Sequence, residues 1–267
     1  MRFSFGKNWR SFLPLIDDRR IAEAERAIRE TLGRDSLIGW RVLDIGSGSG
    51  LSSLAFRRLG ANVVSFDLDA DCVECTQTLR DRFRGDDPDW EVLRGSVLDQ
   101  DFMKRLGRFD LVYAWGVLHH TGRMWDAIAR ASERVAPEGV LLIAIYNDQG
   151  WRSRLWNHIK RAYCSSRYKR AAIIAFFYPL FALYGVIRDV VNLRLPGEHM
   201  RRYVQQRGMS IVHDWRDWLG GYPFEVATPA NIRHFLQERG FSQVREKLTR
   251  GWGCNEFVMQ RKVPIHS

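Results

Sequence analysis

Val42-Leu43-Asp44-Ile45-Gly46-Ser47-Gly48-Ser49-Gly50 is the stretch that decides the fold. An apolar, β-prone run ends in alternating glycine and serine, and Leu51-Ser52-Ser53 then opens a helix. Glycines let the backbone take positive φ and approach a ligand closely. A strand, a glycine loop and a helix in that order make a nucleotide-binding crossover. Two versions of it fail on single residues. The dinucleotide fingerprint G-x-G-x-x-G, counted from Gly46, needs glycine where Leu51 stands, and a P-loop needs a Gly-Lys-Ser/Thr that does not follow. The next β-rich run, Val63-Val64-Ser65-Phe66, ends at Asp67, 21 residues beyond Gly46. A carboxylate there is placed to accept hydrogen bonds from ribose hydroxyls. The loop therefore reads as a nucleoside site not built around a pyrophosphate.

Outward from this loop the chain alternates. Short β-rich runs at Arg41–Ile45, Asn62–Phe66, Trp90–Leu93, Phe109–Ala114 and Val140–Ile145 are separated by helix-length segments. Such alternation predicts right-handed βαβ units and a parallel sheet. A helix is expected over Phe12–Leu32, stopped near Gly33, and another over Pro229–Arg239, stopped by Gly240. Final strands are expected near Gln243–Leu248 and Asn255–Gln260. The rhythm breaks between Asn147 and about Ala227, which reads as an insertion.

The same residues resemble the class I S-adenosylmethionine-dependent methyltransferases. Asp44–Gly50 looks like their first motif, Asp67 like the ribose-binding acid, and Gly95-Ser96-Val97-Leu98-Asp99 like the segment that frames the adenine. Phe109 through His120 looks like the fourth-strand motif beside the methyl-transfer site, and Trp115–His120 is most similar to the small-molecule branch that includes ubiquinone-biosynthesis methyltransferases. Gly240-Phe241-Ser242-Gln243-Val244 resembles the usual start of the sixth strand. The resemblance implies an α/β fold: a Rossmann-like, seven-stranded, mostly parallel sheet with helices on both faces. It carries an N-terminal helical lid and a helical insertion after the fifth strand. The implied division is 1–39 (lid and helix), 40–147 (cofactor-binding half), 148–227 (acceptor-side insertion) and 228–267 (last helix and two strands). The implied cofactor is S-adenosyl-L-methionine. It would be held by Asp44, Gly46, Ser47 and Gly48 from the loop, by Asp67 and Leu68, by Ser96 and Val97, and by Trp115 at its methionine end.

Methyl transfer from a sulfonium is an in-line displacement in which the protein orients the acceptor and removes a proton where one must go. A hydroxyl or thiol acceptor needs a base near neutral pKa, which points to His119 and His120 at the C-terminal edge of the fourth strand. The sequence does not choose between them. Tyr146 and Asn147 follow the fifth strand, where they either engage the acceptor or simply end the strand in an Asx turn. Trp9, in the aromatic N-terminal segment, is expected in a lid over the site. Trp218 and Tyr222, in the Gly- and aromatic-rich stretch Asp214–Glu225, either shape an acceptor pocket or pack segments together. Cys72-x-x-Cys75 falls inside a helix and lacks a second pair, so it reads as packing. No metal is expected, because the strand ends offer no carboxylate cluster.

The chain has 267 residues, 45% of them apolar, and a net charge of +10. Residues 1–150 hold 21 basic and 23 acidic side chains; residues 151–267 hold 20 and 8, and none is acidic between Trp151 and Ile187. The surplus therefore lies on the expected acceptor side. Residues 171–187 form an uncharged run interrupted by Pro179 and Gly185, which is short for a membrane-spanning helix. It is expected as short helices, either roofing an apolar acceptor pocket or lying on a bilayer surface through residues 161–188. Four cysteines and the absence of a signal-like run near Met1 point to a cytoplasmic chain, membrane-peripheral if the second reading holds. The reaction expected is transfer to oxygen or sulfur of a small, apolar or aromatic acceptor. A small-thiol S-methyltransferase and an RNA methyltransferase acting on a non-amino target are the alternatives. Nucleic acid is disfavoured as a partner because no Asn/Asp-Pro-Pro-Tyr/Phe or Pro-Cys motif appears. The oligomeric state is left open.

Overall fold

The computed structural model describes residues 3, 5–195, 197–198, 211–251 and 253–263. One seven-stranded sheet runs in the order β3-β2-β1-β4-β5-β7-β6. Its strands are β1 (Arg41–Ile45), β2 (Asn62–Asp67), β3 (Trp90–Arg94), β4 (Phe109–Trp115), β5 (Val135–Tyr146), β6 (Phe241–Lys247) and β7 (Cys254–Arg261). The first five are parallel neighbours, whereas β7 runs antiparallel to both β5 and β6. The expected mixed, mostly parallel sheet is present.

Residues alternate between two cores because successive side chains on a strand face opposite sides. Leu43 and Ile45 of β1 and Leu141, Ile143 and Ile145 of β5 enter one core, with α5 (Gln100–Arg105), α6 (Met124–Glu133) and the helix Pro229–Gln237. Val42 and Leu142 enter the other, with α2 (Asp18–Leu32) and α3 (Leu51–Arg58). Phe56 is fully buried there; truncating such a side chain to alanine costs about 3–5 kcal/mol.

Three expectations are corrected. The helix expected over Phe12–Leu32 is two helices, α1 (Gly6–Phe12) and α2, with a 3-10 turn at Leu13–Leu15 between them. The cause is local: Pro14 ends the first helix, and the Asp17 side chain accepts a hydrogen bond from Arg20 N–H, capping the second. The fifth strand starts at Val135 rather than Val140. Residues 171–187 are not short helices but the middle of one 25-residue helix, α8 (Arg167–Val191), with Pro179 inside it. Its exposed flanks, Arg167, Lys169, Arg170 and Arg188, extend the helix beyond the uncharged run.

The insertion has its own small core. Tyr163 and Cys164 of α7 (Trp151–Ser165) and Leu219 of the helix Ile211–Gly220 are buried together against Phe177 and Phe181 of α8.

Candidate functional site

The sheet order reverses direction around β1 and β4, and ligands of such sheets bind beyond the carboxyl ends of the strands at that point. A cavity of about 980 Å³ lies there. That is the upper end of the usual range for small-molecule sites. It is lined by Asp44, Gly46, Ser47, Gly48, Asp67 and Leu68 from the β1 and β2 ends. Ser96, Val97 and Trp115 complete the set expected from sequence, Trp115 standing half exposed at the lip.

The glycine loop is pinned to β2: Gly46 and Ser47 N–H both donate to the Phe66 carbonyl, at 2.8 and 3.2 Å. Gly46 has φ +74° and Gly48 φ +56°. A Cβ at Gly46 would meet the Val117 methyls at 2.5 Å, and one at Gly48 would meet the Trp9 indole at 2.9 Å. Both positions thus require glycine on conformational and steric grounds.

Asp67 closes the loop from the far side. Its Oδ2 accepts from Gly48 N–H at 3.1 Å and its Oδ1 from Asp69 N–H at 2.9 Å. Burial pushes the Asp67 carboxyl above its ordinary range, and these two bonds oppose the shift. Asp44 sits at the end of a buried polar chain: Trp90 Nε1–H donates to Ser65 Oγ (2.9 Å), the Ser65 hydroxyl to Ser53 Oγ (2.7 Å), and the Ser53 hydroxyl to Asp44 Oδ2 (2.5 Å). Burial drives Asp44 up to about 7, against the pull of the Ser53 bond.

The N-terminal segment crosses this cavity. Phe3 N–H donates to the Tyr222 carbonyl at 2.9 Å, and Gly6 N–H to Asp69 Oδ2 at 3.1 Å. Trp9 lies over Gly48, so it covers the glycine loop rather than the acceptor end. Phe3 and Phe5 also line the cavity, and the Phe5 ring lies 5.0 Å from that of His120. Neither phenylalanine was singled out from sequence; the aromatic run Phe3–Trp9 was the available signal.

The structure separates the two histidines. His120 lines the cavity, and its Nδ1 lies 2.7 Å from the Pro223 carbonyl oxygen. A carbonyl only accepts, so Nδ1 carries the proton and the lone pair of the neutral ring is on Nε2. His119 is fully buried and does not line the cavity. Its ring centroid is 4.4 Å from that of His120 and 4.3 Å from that of Tyr146. Burial, reinforced by His120 and Lys160, holds His119 well below the usual histidine range.

Tyr146 and Trp218 line the cavity; Asn147 and Tyr222 do not. Asn147 Nδ2 donates to the Thr249 carbonyl and its Oδ1 accepts from Asn255 Nδ2 at 3.1 Å, tying β5 to β7. Tyr222 packs on the insertion core. Lys160 is buried: its Nζ donates to the Trp218 carbonyl and lies 4.9 Å from the Phe224 ring centroid. Among the described residues no three His, Cys, Asp or Glu side chains cluster as metal ligands would.

The strand order, the glycine loop pinned against β2 and the carboxylate beyond it define a class I nucleoside-cofactor fold. Residues 10–245 match the family model described as a methyltransferase domain. The chain belongs to that methyltransferase family. It is 29% identical over 134 residues to the ubiquinone biosynthesis O-methyltransferase of Rhodopseudomonas palustris (strain TIE-1), covering 50% of each chain. It is 32% identical over 111 residues to the enzyme of the same name from Azorhizobium caulinodans, covering 42% of each. The chain thus spans about half the length of these curated relatives. Among solved structures it is similar in fold to the magnesium protoporphyrin IX methyltransferase of Synechocystis PCC 6803 with bound SAH. That likeness has a TM-score of 0.54 and 16% identity, covering 91% of this chain and 83% of that one. An O-methyltransferase family protein from Burkholderia thailandensis is similar at TM-score 0.52 and 13% identity, covering 91% and 59%.

Proposed function

We propose that this small-molecule methyltransferase acts on a hydroxyl of an apolar, aromatic acceptor, with His120 as the general base. The observation that carries this reading is the 2.7 Å contact between His120 Nδ1 and the Pro223 carbonyl. It fixes the tautomer and leaves the basic nitrogen on a ring that lines the cavity. A phenolic hydroxyl, with a pKa of about 10, needs such a base more than a thiol does, with its pKa of about 8.5. The relatives named for ubiquinone biosynthesis are O-methyltransferases, which favours oxygen over sulfur.

When bound, S-adenosylmethionine supplies a methyl group made electrophilic by its sulfonium. Gly46, Ser47 and Gly48 offer the cofactor a bare backbone, and the Asp67 carboxylate, preset by two N–H donors, would take the ribose hydroxyls. Asp44, Ser96, Val97 and Leu68 would line its flanks, and Trp115 its methionine end. The residues fit: the glycine loop, Asp67, Ser96, Val97 and Trp115 line one cavity of about 980 Å³. Phe5, Tyr146 and Trp218 give the acceptor end an aromatic wall that excludes water and holds a planar ring. His120 Nε2 takes the acceptor proton as the oxygen attacks. His119, buried and neutral beneath it, is a positioning residue that packs the His120 and Tyr146 rings.

The test is methyl transfer from labelled cofactor to a panel of quinols and phenols, sugars, thiols and RNA. Label in the phenolic or quinol hydroxyl is expected. His120→Gln should lower kcat about 10²–10⁴-fold at unchanged affinity for S-adenosylhomocysteine. Label only in thiols or only in RNA, or an undiminished kcat, would overturn the proposal.

A further inference from the structure

Helix α8 is apolar on both sides. Its inner side packs on the protein: Phe177 meets Trp156 at 5.5 Å between centroids, and Tyr178 and Phe181 meet Trp215 at 5.4 and 5.5 Å. Its outer side is apolar too, yet exposed: Phe176 is 63%, Leu183 55%, Ile187 51% and Val191 76% accessible. A surface helix of a soluble domain ordinarily turns charged residues outward, and a contiguous apolar face of this size marks an interaction site. The helix is long and apolar enough to cross a membrane, about 37 Å at 1.5 Å per residue.

We propose that the outer face of α8 seats this protein on an anionic lipid bilayer, lying in the interface rather than spanning it. Three observations choose this occupant and this depth. The inner side is held by the insertion core, so a spanning arrangement would strip Phe177, Tyr178 and Phe181 from their partners. Pro179 offers no N–H to the carbonyl of Ala175, one turn earlier, and both residues are exposed. Such a carbonyl is tolerated near headgroups and costly in hydrocarbon. The charge is also one-sided. Arg161, Arg167, Lys169 and Arg170 are exposed around the first turn of α8, no acid occurs from Trp151 to Ile187, and Asp189, the one acid of α8, is buried. Exposed cations beside an apolar face match an anionic leaflet, and the same face of a second copy would offer it no complementary acid.

The placement also connects to the cavity. Trp218 lines it and meets Trp156 edge-to-face at 5.8 Å, and Trp156 in turn meets Phe177 of α8. Packed rings thus join the acceptor end of the cavity to the helix proposed to meet lipid, a placement that suits an acceptor dissolved in the bilayer. This last point rests on the proposed O-methylation of an apolar acceptor; the membrane contact does not.

The experiment is flotation of the full chain with phosphatidylcholine vesicles, with and without one-third phosphatidylglycerol, at two salt concentrations. Binding is expected with the anionic vesicles and should weaken at high salt. Arg161→Gln with Lys169→Gln should weaken it about fivefold per cation removed. Phe176→Glu with Leu183→Glu should weaken it by more than about tenfold, with an unchanged circular dichroism melt. Should that variant not fold, hydrogen exchange of the unmodified chain replaces it, with added protection over α8 on vesicle addition expected. Absence of flotation would overturn the proposal. So would unchanged binding of the folded Phe176/Leu183 variant, absence of added protection over α8, or a dimer by light scattering that this variant disperses.

Discussion

Acid should destabilise this protein through His119, and the size of the effect follows from its burial. His119 is fully buried and held well below the usual histidine range, chiefly by desolvation. In the unfolded chain the same imidazole titrates near its ordinary value of about 6.5. Below that pH the unfolded state takes up a proton that the native state refuses, so stability falls as pH falls. With the native ring neutral throughout, the loss is about 2 kcal/mol between neutrality and pH 5, approaching about 1.4 kcal/mol per pH unit. Asp44 works in the opposite sense. Its native value of about 7 lies above its unfolded one, so its ionisation costs stability as pH rises through 7, and that cost is relieved on acidification. The total pH profile therefore mixes both groups, and a difference measurement is needed to separate them. Urea unfolding of the unmodified chain and of His119→Gln at pH 7, 6 and 5 provides it. Whatever offset the substitution causes at pH 7, the gap should shift by about 2 kcal/mol in favour of His119→Gln by pH 5. Parallel curves across that range would refute the assignment of a neutral, buried His119.

Asp67→Asn keeps the size of the side chain but removes the charge that Gly48 and Asp69 N–H presently support. Charge-assisted hydrogen bonds contribute roughly 1.5–3 kcal/mol, so S-adenosylhomocysteine affinity by calorimetry should fall about 10- to 100-fold, and an unchanged affinity would remove Asp67 from the ribose site. Gly46→Ala meets both a positive φ, costing about 1–2 kcal/mol, and the Val117 methyls at 2.5 Å. It should lower both Tm and cofactor affinity. Gly251→Ala, which has open space and no positive φ, should change neither; equal effects of the two would show that sterics at the loop do not matter.

What the sequence disclosed was what is local. Gly46 and Gly48 carry their conformational meaning in their own residue type, and Asp67 sits at a fixed distance along one βα unit, so the loop, the carboxylate beyond the second strand and the mostly parallel sheet were all readable. The histidine assignment was not. His119 and His120 are adjacent and chemically identical, and only the fold distinguishes them: His120 lines the cavity and meets the Pro223 carbonyl, 103 positions further along, while His119 is buried behind it. Trp9 was expected over the site, but its seat above Gly48 depends on α1 docking against the start of α4 (Ala70–Arg84), where Gly6 meets Asp69. The length of α8 was underestimated because Pro179 and Gly185 read as breakers. In the fold Pro179 faces outward, while Gly185 is buried on the inner side, where a small residue packs.

The surplus charge of residues 151–267 also divides in a way that composition could not display. Lys160 belongs to it by count, yet it is turned inward, capped by the Trp218 carbonyl and lying over Phe224. From there its charge disfavours protonation of His119. Arg161, its immediate neighbour, is exposed. One turn of α7 thus gives one cation to the protein interior and one to the outer surface. The α7–α8 hairpin is for that reason not a separable appendage: its inner side packs Lys160 and Trp156 on Trp218, which lines the cavity, and its outer side supplies the apolar face proposed to meet lipid. Removing it would uncover Trp218 at the cavity wall as well as abolish that face. The informative perturbations are therefore single outward substitutions such as Phe176→Glu, which leave the inner contacts of the hairpin in place.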